Sequence, residues 1–377
     1  MVSVEYKKLG DIATYINGYA FKPEQRGSEG LPIIRIQDLT GNAYDLGYYN
    51  GDYPKKVELN DGDVLISWSA SLGVYLWNHG KALLNQHIFK VVFDKVEIDK
   101  FYFMYAVEYN LDKMSLKTHG ATMKHITKKD FDNVVIPYPD LDYQKEVAYR
   151  LTSLKGIIEK YQKQLDLLDE LVKARFVEMF GELRINDKGW KYYKLDELTE
   201  LITDGEHATP KRTTQGIYLL SARNVLNHQL SLEDVDFIDC DEFDRISRRI
   251  IPKEGDVLIS CSGSIGRCCI VPKNIKFQMV RSIALLRFKS NINPVFAEYM
   301  ITSDYLQNQI NKSKTASSQA NLFQGKIKSL KGVVPPLELQ NQFASFVQEI
   351  DKSRSRIQKS LEASQELFDS LMQEYFG

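Results

Sequence analysis

Hydrophobic residues recur at every third and fourth position in two long stretches of this chain. The first stretch spans nearly four heptads, and the second repeats it 196 residues later, where only Arg354 and Ser364 interrupt the apolar series. Such spacing is typical of coiled-coil helices, and it predicts long helices at 144–181 and 340–377. The predicted seam consists of Val147, Leu151, Leu154, Ile158, Tyr161, Leu165, Leu168 and Val172 in the first helix, and of Phe343, Val347, Ile350, Ile357, Leu361 and Phe368 in the second.

An apolar stripe of this length has to be covered, and the chain holds one other stripe of equal length and register. We therefore expect the two helices to pack against each other in antiparallel orientation. At 1.5 Å per residue they would form a spacer about 55 Å long, with one globular domain at each end in a pseudo-twofold arrangement. The alternative is that each helix packs separately on its own domain.

A different pattern precedes each long helix. Short β-branched or aromatic runs, bounded by Gly, Asn and Pro, predict strands, for example at 31–36, 63–67 and 87–93. A helix is predicted at 100–110, with its counterpart at 294–308. These patterns predict a mixed α/β (α+β) fold with two globular domains, at 1–143 and 182–339.

The two domains arise from a tandem duplication. Gly-Asp-Val-Leu-Ile-Ser at 62–67 returns unchanged at 255–260, and both copies continue into Ser-x-Ser-[Leu/Ile]-Gly. Pro-x-Leu-x-x-Gln opens both long helices, at 139–144 and 335–340. We interpret Val-Leu-Ile as a buried strand and the aspartates, Asp63 and Asp256, as ends of turns. One frame used twice, with different residues around it, can contact two different targets.

Composition places the chain among ordinary globular proteins. Its 377 residues are 43% hydrophobic and 26% charged, with a net charge of −1. The first residues lack the apolar core of a signal peptide, and no run reaches 18 apolar residues, so we expect a cytoplasmic protein. The four cysteines show no Cys-x-x-Cys spacing. Cys268 and Cys269 are interpreted as buried strand residues and not as metal ligands.

Basic residues are unevenly distributed despite the balanced total. The segment 257–297 contains no acidic residue but six lysines and arginines, and 117–129 combines four lysines with His119 and His125. Local basic segments of this kind favour contact with nucleic acid.

Catalytic signatures are missing. The sequence has no P-loop, no HExxH, no GxSxG, no cofactor-binding GxGxxG and none of the usual motifs of amino-methyltransferases or acidic nucleases. His79 and His87 are interpreted as structural. Trp68 is interpreted as a packing residue, with stacking on a base as the alternative. Recognition is therefore favoured over chemistry.

Four motifs together carry a family resemblance. They are the loops Asn17-Gly-Tyr-Ala-Phe-Lys22 and Asp204-Gly-Glu-His-Ala-Thr-Pro-Lys211, the repeated Gly-Asp-Val-Leu-Ile-Ser, and the Pro-x-Leu-x-x-Gln that opens each long helix. In combination, and across the whole chain, they resemble the specificity subunit of type I restriction-modification systems.

The resemblance implies a non-catalytic subunit of a phage-defence complex that acts as a restriction endonuclease and adenine-specific DNA methyltransferase. Two target-recognition domains would each read one half of a bipartite asymmetric site in double-stranded DNA. Two methyltransferase subunits would dock on the chain, and restriction/translocase subunits would join through them. S-adenosylmethionine, ATP and Mg²⁺ would be used by these partners. A coiled-coil protein adaptor without a DNA role and a self-contained DNA-modifying enzyme remain as alternatives.

Candidate DNA contacts are chosen for their donors to phosphate and base edges, because the family offers no fixed set of base-reading residues. In copy one they are Lys22, Arg26, Arg35, Gln37, Lys124, His125 and Lys128. In copy two they are His207, Thr209, Lys211, Arg212, Arg223, Asn224, Arg267, Arg281, Ser317, Ser318, Gln319 and Asn321.

Overall fold

The computed structural model describes residues 5–42, 45–117, 126–312 and 321–377. The chain divides into two compact units. Unit 1 comprises Met1–Gln162 with Lys359–Gly377, and unit 2 comprises Lys163–Gln358. Each unit thus combines one copy of the duplicated frame with parts of both long helices.

Copy one forms three small sheets and a set of helices around them. Its elements are β1 Glu5–Lys8, α1 Leu9–Ile12, β2 Thr14–Asn17, β3 Leu31–Ile34, α2 Ile36–Leu39, β4 Gly47–Tyr49, β5 Glu58–Leu59, β6 Val64–Ser67, β7 Gly73–Leu76, β8 Ala82–Leu84, β9 Ile88–Val92, α3 Lys100–Lys117, α4 Lys128–Asp132, β10 Val135–Tyr138 and α5 Leu141–Phe180. The strand orders are β2-β9-β6-β7, β4-β3-β8-β5 and β1-β10.

Copy two has a similar order of elements, with an additional helix at Cys240–Ser247 and with two helices, at Pro294–Thr302 and Asp304–Lys312, where copy one has α3. Its elements are β11 Tyr192–Lys194, α6 Leu195–Leu198, β12 Thr199–Asp204, β13 Ile217–Leu220, β14 Val225–Leu226, β15 Gln229–Leu230, β16 Asp236–Ile238, α7 Cys240–Ser247, β17 Val257–Ser260, β18 Cys268–Ile270, β19 Phe277–Met279, β20 Ile283–Phe288, α8 Pro294–Thr302, α9 Asp304–Lys312, α10 Gln324–Ser329, β21 Lys331–Val333 and α11 Leu337–Phe376. The strand orders are β12-β20-β17-β18, β16-β13-β19, β14-β15 and β11-β21.

The repeated Gly-Asp-Val-Leu-Ile-Ser forms an inner strand of the main sheet in each unit, β6 or β17. The prediction of core strands is confirmed, because Val-Leu-Ile of both copies has at most 1% of its surface exposed. Asp63 and Asp256 end turns as expected, and their carboxylates accept the backbone N–H of Asn60 and Lys253 at 2.8 Å each. Asp256 also pairs with the Arg287 guanidinium at 2.6 Å.

Two local predictions are wrong in detail. The strand predicted at 31–36 ends at Ile34, and the chain then turns into the short helix α2. The single helix predicted at 294–308 is two helices, α8 and α9, separated at Ser303. Ser303 has an extended backbone (φ −63°, ψ 150°), and its hydroxyl donates to the Met300 carbonyl at 2.6 Å, which competes with helix continuation.

The glutamine of each Pro-x-Leu-x-x-Gln motif joins the long helix to the shorter helix of the same unit. Gln144 donates to the Pro139 carbonyl at 2.8 Å, and its side-chain oxygen accepts the N–H of Asp99, just before α3, at 2.9 Å. In unit 2, Gln340 makes the same two bonds: it donates to the Pro335 carbonyl, and its side-chain oxygen accepts the N–H of Asn293. Both glutamine side chains are buried, so the motif has the same structural role in both units.

The long helices pack on each other, as predicted, and the alternative of separate packing is wrong. In unit 2, Arg354 of α11 pairs with Asp169 of α5 at 2.7 Å, and the rings of Phe343 and Phe176 lie 5.4 Å apart. In unit 1, Arg150 of α5 donates to the Tyr375 hydroxyl of α11 at 3.3 Å. In both units an N-terminal part of one helix lies beside a C-terminal part of the other, so the packing is antiparallel.

The predicted seam lies on the packed side of both helices. Each of its residues is buried or partly buried, whereas many of the positions between them are exposed. Arg354, which interrupts the seam, is accommodated by its ion pair with Asp169 and by Asp351 at 3.6 Å. The ends of both helices also enter the cores: Phe180 of α5 belongs to the core of unit 2, and Phe376 of α11 to that of unit 1.

Candidate nucleic-acid interface

The two units share a scaffold around one surface region, and its backbone hydrogen bonds correspond one to one. In unit 1 the bonds run from Gly18 N to Ile88 O (3.0 Å), from Tyr19 N to Leu84 O (2.8 Å), from Gln86 N to Tyr19 O (3.0 Å) and from Ile126 N to Trp68 O (3.1 Å). In unit 2, in the same order, they run from Gly205 N to Ile283 O (3.0 Å), from Glu206 N to Met279 O (2.8 Å), from Arg281 N to Glu206 O (3.0 Å) and from Leu322 N to Cys261 O (2.9 Å). Side chains at these matched positions can therefore be compared directly.

In unit 2 this region is a cleft of about 1090 Å³. It brings together five of the residues singled out from the sequence, namely His207, Thr209, Arg212, Arg281 and Asn321. These residues come from the loop after β12, from the turn before β20 and from the segment before α10. Their proximity could not be read from the sequence, because they come from three segments spread over more than 100 residues of the chain.

In unit 1 aromatic side chains occupy the matching place. Trp68 lies stacked on Phe89, with ring centroids 5.5 Å apart. The centroid of the His87 ring lies 5.0 Å from that of Trp68, in an edge-to-face arrangement. The counterparts in unit 2, by strand register and matched bonds, are the small residues Cys261, Ala284 and Ser282, all of which line the cleft. Trp68 packs on Phe89, in agreement with its interpretation as a packing residue, whereas His87 is exposed beside it. The two units therefore present different surfaces on one frame.

Carboxylates in the cleft lie beside basic side chains. Asp204 contacts the Arg249 guanidinium and the His207 imidazole, both at 2.7 Å. Glu206 lies 3.8 Å from Arg245. Arg245 is shared with Glu242, but Arg212 and Arg281 also line the cleft, so the lining is compatible with a polyanion.

Helix α7, which has no counterpart among the described helices of copy one, holds the loop that carries His207, Thr209 and Arg212. The Glu242 carboxylate of α7 accepts the N–H of Lys211 at 3.1 Å and both arms of the Arg245 guanidinium at 2.9 Å. The bonds from Arg245, followed by the bond from the Lys211 backbone, lower the pKa of Glu242 to about 2. Glu242 is therefore a positioning residue that the sequence analysis missed.

The remaining candidates of copy two differ in what surrounds them. Arg212 and Arg223 share Asp236, at 3.0 and 3.2 Å. Lys211 is exposed and Arg267 is half-buried. Ser317, Ser318 and Gln319 lie outside the described residues.

Asn224 is fully buried, with 0% of its surface exposed, and we remove it from the proposed contacts. Its side-chain oxygen accepts the N–H of Ser221 at 3.0 Å and closes a turn. In copy one, Asp38 makes the same bond to Arg35 at 2.8 Å. In both copies a side-chain acceptor lies three residues after the start of the turn. This spacing is a capping pattern, and it indicates from the sequence that Asn224 closes a turn.

In unit 1, Lys22, Arg26, Gln37 and Lys128 are exposed, as a DNA contact requires. Lys128 pairs with Asp132 at 2.7 Å. Arg35 has only 11% of its side chain exposed, and Asp38 holds its guanidinium at 2.9 Å, so its first role is structural. Lys124 and His125 lie outside the described residues.

Within the described ranges the structure offers no metal centre and no membrane-spanning helix. No three His, Cys, Asp or Glu side chains of the described chain are grouped as metal ligands would be. Cys268 and Cys269 are buried strand residues, as predicted, and burial raises the pKa of both thiols. No described helix is long and apolar enough to cross a membrane.

Solved structures support the same fold. The chain aligns over its full length with 96% of the S subunit of a type I restriction-modification system from M. genitalium, with a TM-score of 0.60 and 14% identity. It also covers 97% of a chain from a structural study of assembly and conformational transition of the type I R-M system, with a TM-score of 0.56 and 14% identity.

Sequence comparison gives the family. The chain is 24% identical to the type I restriction enzyme EcoBI specificity subunit of Escherichia coli, over 94% of this chain and 80% of that protein. It is 23% identical to the MjaVIII specificity subunit of Methanocaldococcus jannaschii, over 94% and 89%. The family model described as type I restriction modification DNA specificity domain matches residues 1–168 and 187–365. The chain therefore belongs to the type I restriction-modification DNA specificity family.

Proposed function

We propose that this chain is the non-catalytic specificity subunit of a type I restriction-modification complex, in which each unit reads one half of a bipartite asymmetric site in double-stranded DNA. One observation carries the proposal: the two units share a hydrogen-bonded frame but present different side chains on it. Arg281 in unit 2 stands where unit 1 has Gln86, and the open cleft stands where unit 1 has Trp68 on Phe89. Two half-sites of different sequence require such a difference.

The proposed contacts are the candidates with exposed or half-buried donors. In unit 2 they are His207, Thr209, Lys211, Arg212, Arg223, Arg267, Arg281 and Asn321. In unit 1 they are Lys22, Arg26, Gln37 and Lys128, together with Gln86, which only the comparison of the two frames reveals. Arginine suits guanine, and glutamine or asparagine suits adenine, in the major groove.

Methylation and cleavage belong to partner subunits in this proposal. Two methyltransferase subunits would dock on the chain and hold S-adenosylmethionine, and restriction/translocase subunits would join through them and use ATP and Mg²⁺. Exposed apolar residues of the long helices support the docking surface. They include Tyr149 at 75%, Leu167 at 50%, Val177 at 51% and Leu367 at 51% exposure, all outside the seam.

Methylome sequencing of cells that produce the methyltransferase subunits with and without this chain tests the proposal. We expect one bipartite motif, present only with the chain, with half-sites roughly one helical turn apart. Replacing Arg281 should change one half of the motif, and replacing Gln86 the other. Equal methylation of arbitrary sequences, or methylation by the purified chain with labelled S-adenosylmethionine and no partner, would overturn it.

A further inference from the structure

Phe323 lines the unit 2 cleft and is an unusual residue for its position at the start of a helix. It occupies the N-cap position of α10, where it makes no side-chain capping bond, and 59% of its surface is exposed. N-caps favour Ser, Thr, Asp and Asn, whose oxygens accept a free helix N–H. Unit 1 follows the rule, because its counterpart Thr127 accepts the N–H of Asp130 at 3.2 Å. A residue that weakens its helix and exposes a large apolar ring indicates a role outside folding.

The backbone around Phe323 is held on both sides. Leu322 is buried, and its N–H donates to the Cys261 carbonyl at 2.9 Å. The side chain of Gln324 donates to the Ile202 carbonyl on β12. The Phe323 carbonyl itself accepts the N–H of Lys326 at 2.9 Å. The ring is therefore presented from a fixed position, which lowers the entropic cost of using it in binding.

The residues around the Phe323 ring indicate which kind of molecule it binds. Phe323 lines the same cleft as His207, Thr209, Arg281 and Asn321, which are donors to phosphates and base edges. Aromatic rings bind nucleic acid by stacking on a base that has lost its neighbour, or by entering a base step as a wedge. A cleft that combines such donors with one exposed ring fits a displaced base.

We propose that Phe323 stacks on a nucleobase of the unit 2 half-site that is displaced from its neighbour in the duplex. This inference rests on the proposed function and adds one residue that determines specificity within it. Unit 1 has Thr127 at the cap and stacked aromatic rings in place of the cleft, so the contact is confined to one half-site.

Phe323→Thr is the direct test, because it installs the residue of the other copy. The variant restores a cap, so its unfolding temperature should be unchanged or higher. Once methylome sequencing has supplied the motif, specific DNA affinity of the methyltransferase complex should fall by roughly fivefold to 150-fold, the range measured for base–aromatic stacking. Phe323→Tyr should stay within about threefold of the wild type. Ile251→Thr, which removes an apolar residue of unit 2 that is also more than half exposed but does not line the cleft, serves as the control.

A thermodynamic cycle identifies the base. Abasic sites are placed one at a time across both half-sites, and each DNA is bound by the wild-type and Phe323→Thr complexes. At one position of the unit 2 half-site, the two losses should not add, because each removes the same stack. At every position of the unit 1 half-site they should add.

The possible outcomes separate this inference from the proposed function. A wild-type complex without sequence-specific binding would refute the proposed function. Specific binding that is unchanged by Phe323→Thr, or additive losses at every position, would refute the role of Phe323 alone. Loss of complex assembly without DNA would assign the ring to a protein interface and also overturn the proposal.

Discussion

Glu242 accepts the Lys211 backbone N–H at 3.1 Å, and this bond ties helix α7 to the loop that carries His207 and Arg212. A pKa lowered to about 2 has a definite effect on stability. The folded state favours the charged form, so the stabilisation is fully present above the unfolded pKa near 4.5 and is lost as the pH falls towards about 2.

Glu242→Gln should therefore destabilise unit 2 at pH 7 and much less at pH 3. The thermal transition is measured for the wild type and the variant from pH 7 to pH 3, and the difference between them should shrink below pH 4.5. Glu254→Gln, at a carboxylate that is 59% exposed beside Lys273, is the control. A difference independent of pH would contradict the assignment of the pKa shift to this bond network.

Gln340 and Gln144 should be equally important in their own units. Replacing either by Met keeps the volume but leaves the N–H of Asn293 or Asp99 without its acceptor, which costs about 1–3 kcal/mol of unfolding free energy. Urea unfolding measures the loss. Gln348→Met, on the exposed face of α11, should stay within about 0.5 kcal/mol of the wild type.

Arg354→Ile should stabilise the protein, because Ile158 is the matching residue of the first helix. The lost ion pair with Asp169 is partly exposed and contributes at most about 1 kcal/mol. Burial of a branched apolar side chain in the seam contributes about 1.5–3 kcal/mol. Calorimetry should show a transition raised by a few degrees, whereas Arg356→Ile, on the exposed face, should not raise it. A lower transition for Arg354→Ile would show that the ion pair outweighs the apolar contact.

Arg281→Gln, which gives unit 2 the residue of unit 1, should weaken DNA binding by the assembled complex. If Arg281 contacts a phosphate, the slope of log affinity against log salt should fall by about one. Arg248→Gln removes an exposed charge beyond the cleft and should leave the slope unchanged. An unchanged slope and motif for Arg281→Gln would remove Arg281 from the interface.

Long-range features of the fold were predictable because they repeat. The heptads and the Gly-Asp-Val-Leu-Ile-Ser strands depend on burial with a fixed period, which sequence displays directly. The break at Ser303 was missed, because it depends on a single side-chain bond that competes with the helical pattern. The turns closed by Asp38 and Asn224 have a recognisable spacing, but that spacing alone does not show that the two side chains are held there.

The candidate site was predictable only in part. Charge and loop composition indicated His207 and Arg281, but not that they share a cleft with Phe323. The size of that cleft depends on small residues, Ala284 and Ser282, whose importance emerges only beside Phe89 and His87 of unit 1. Arg35 was chosen for its charge, but in the folded chain its guanidinium is paired with Asp38.

The presence of Phe376 in the core of unit 1 affects the stage of synthesis at which that unit can finish folding. Most of that core comes from the first 151 residues, but Met372 and Phe376 close it, beside Tyr102 at 5.1 Å. Unit 1 therefore cannot complete its core before residues that follow unit 2 in the chain have been synthesised. A nascent chain that lacks these residues would expose apolar surface of that core.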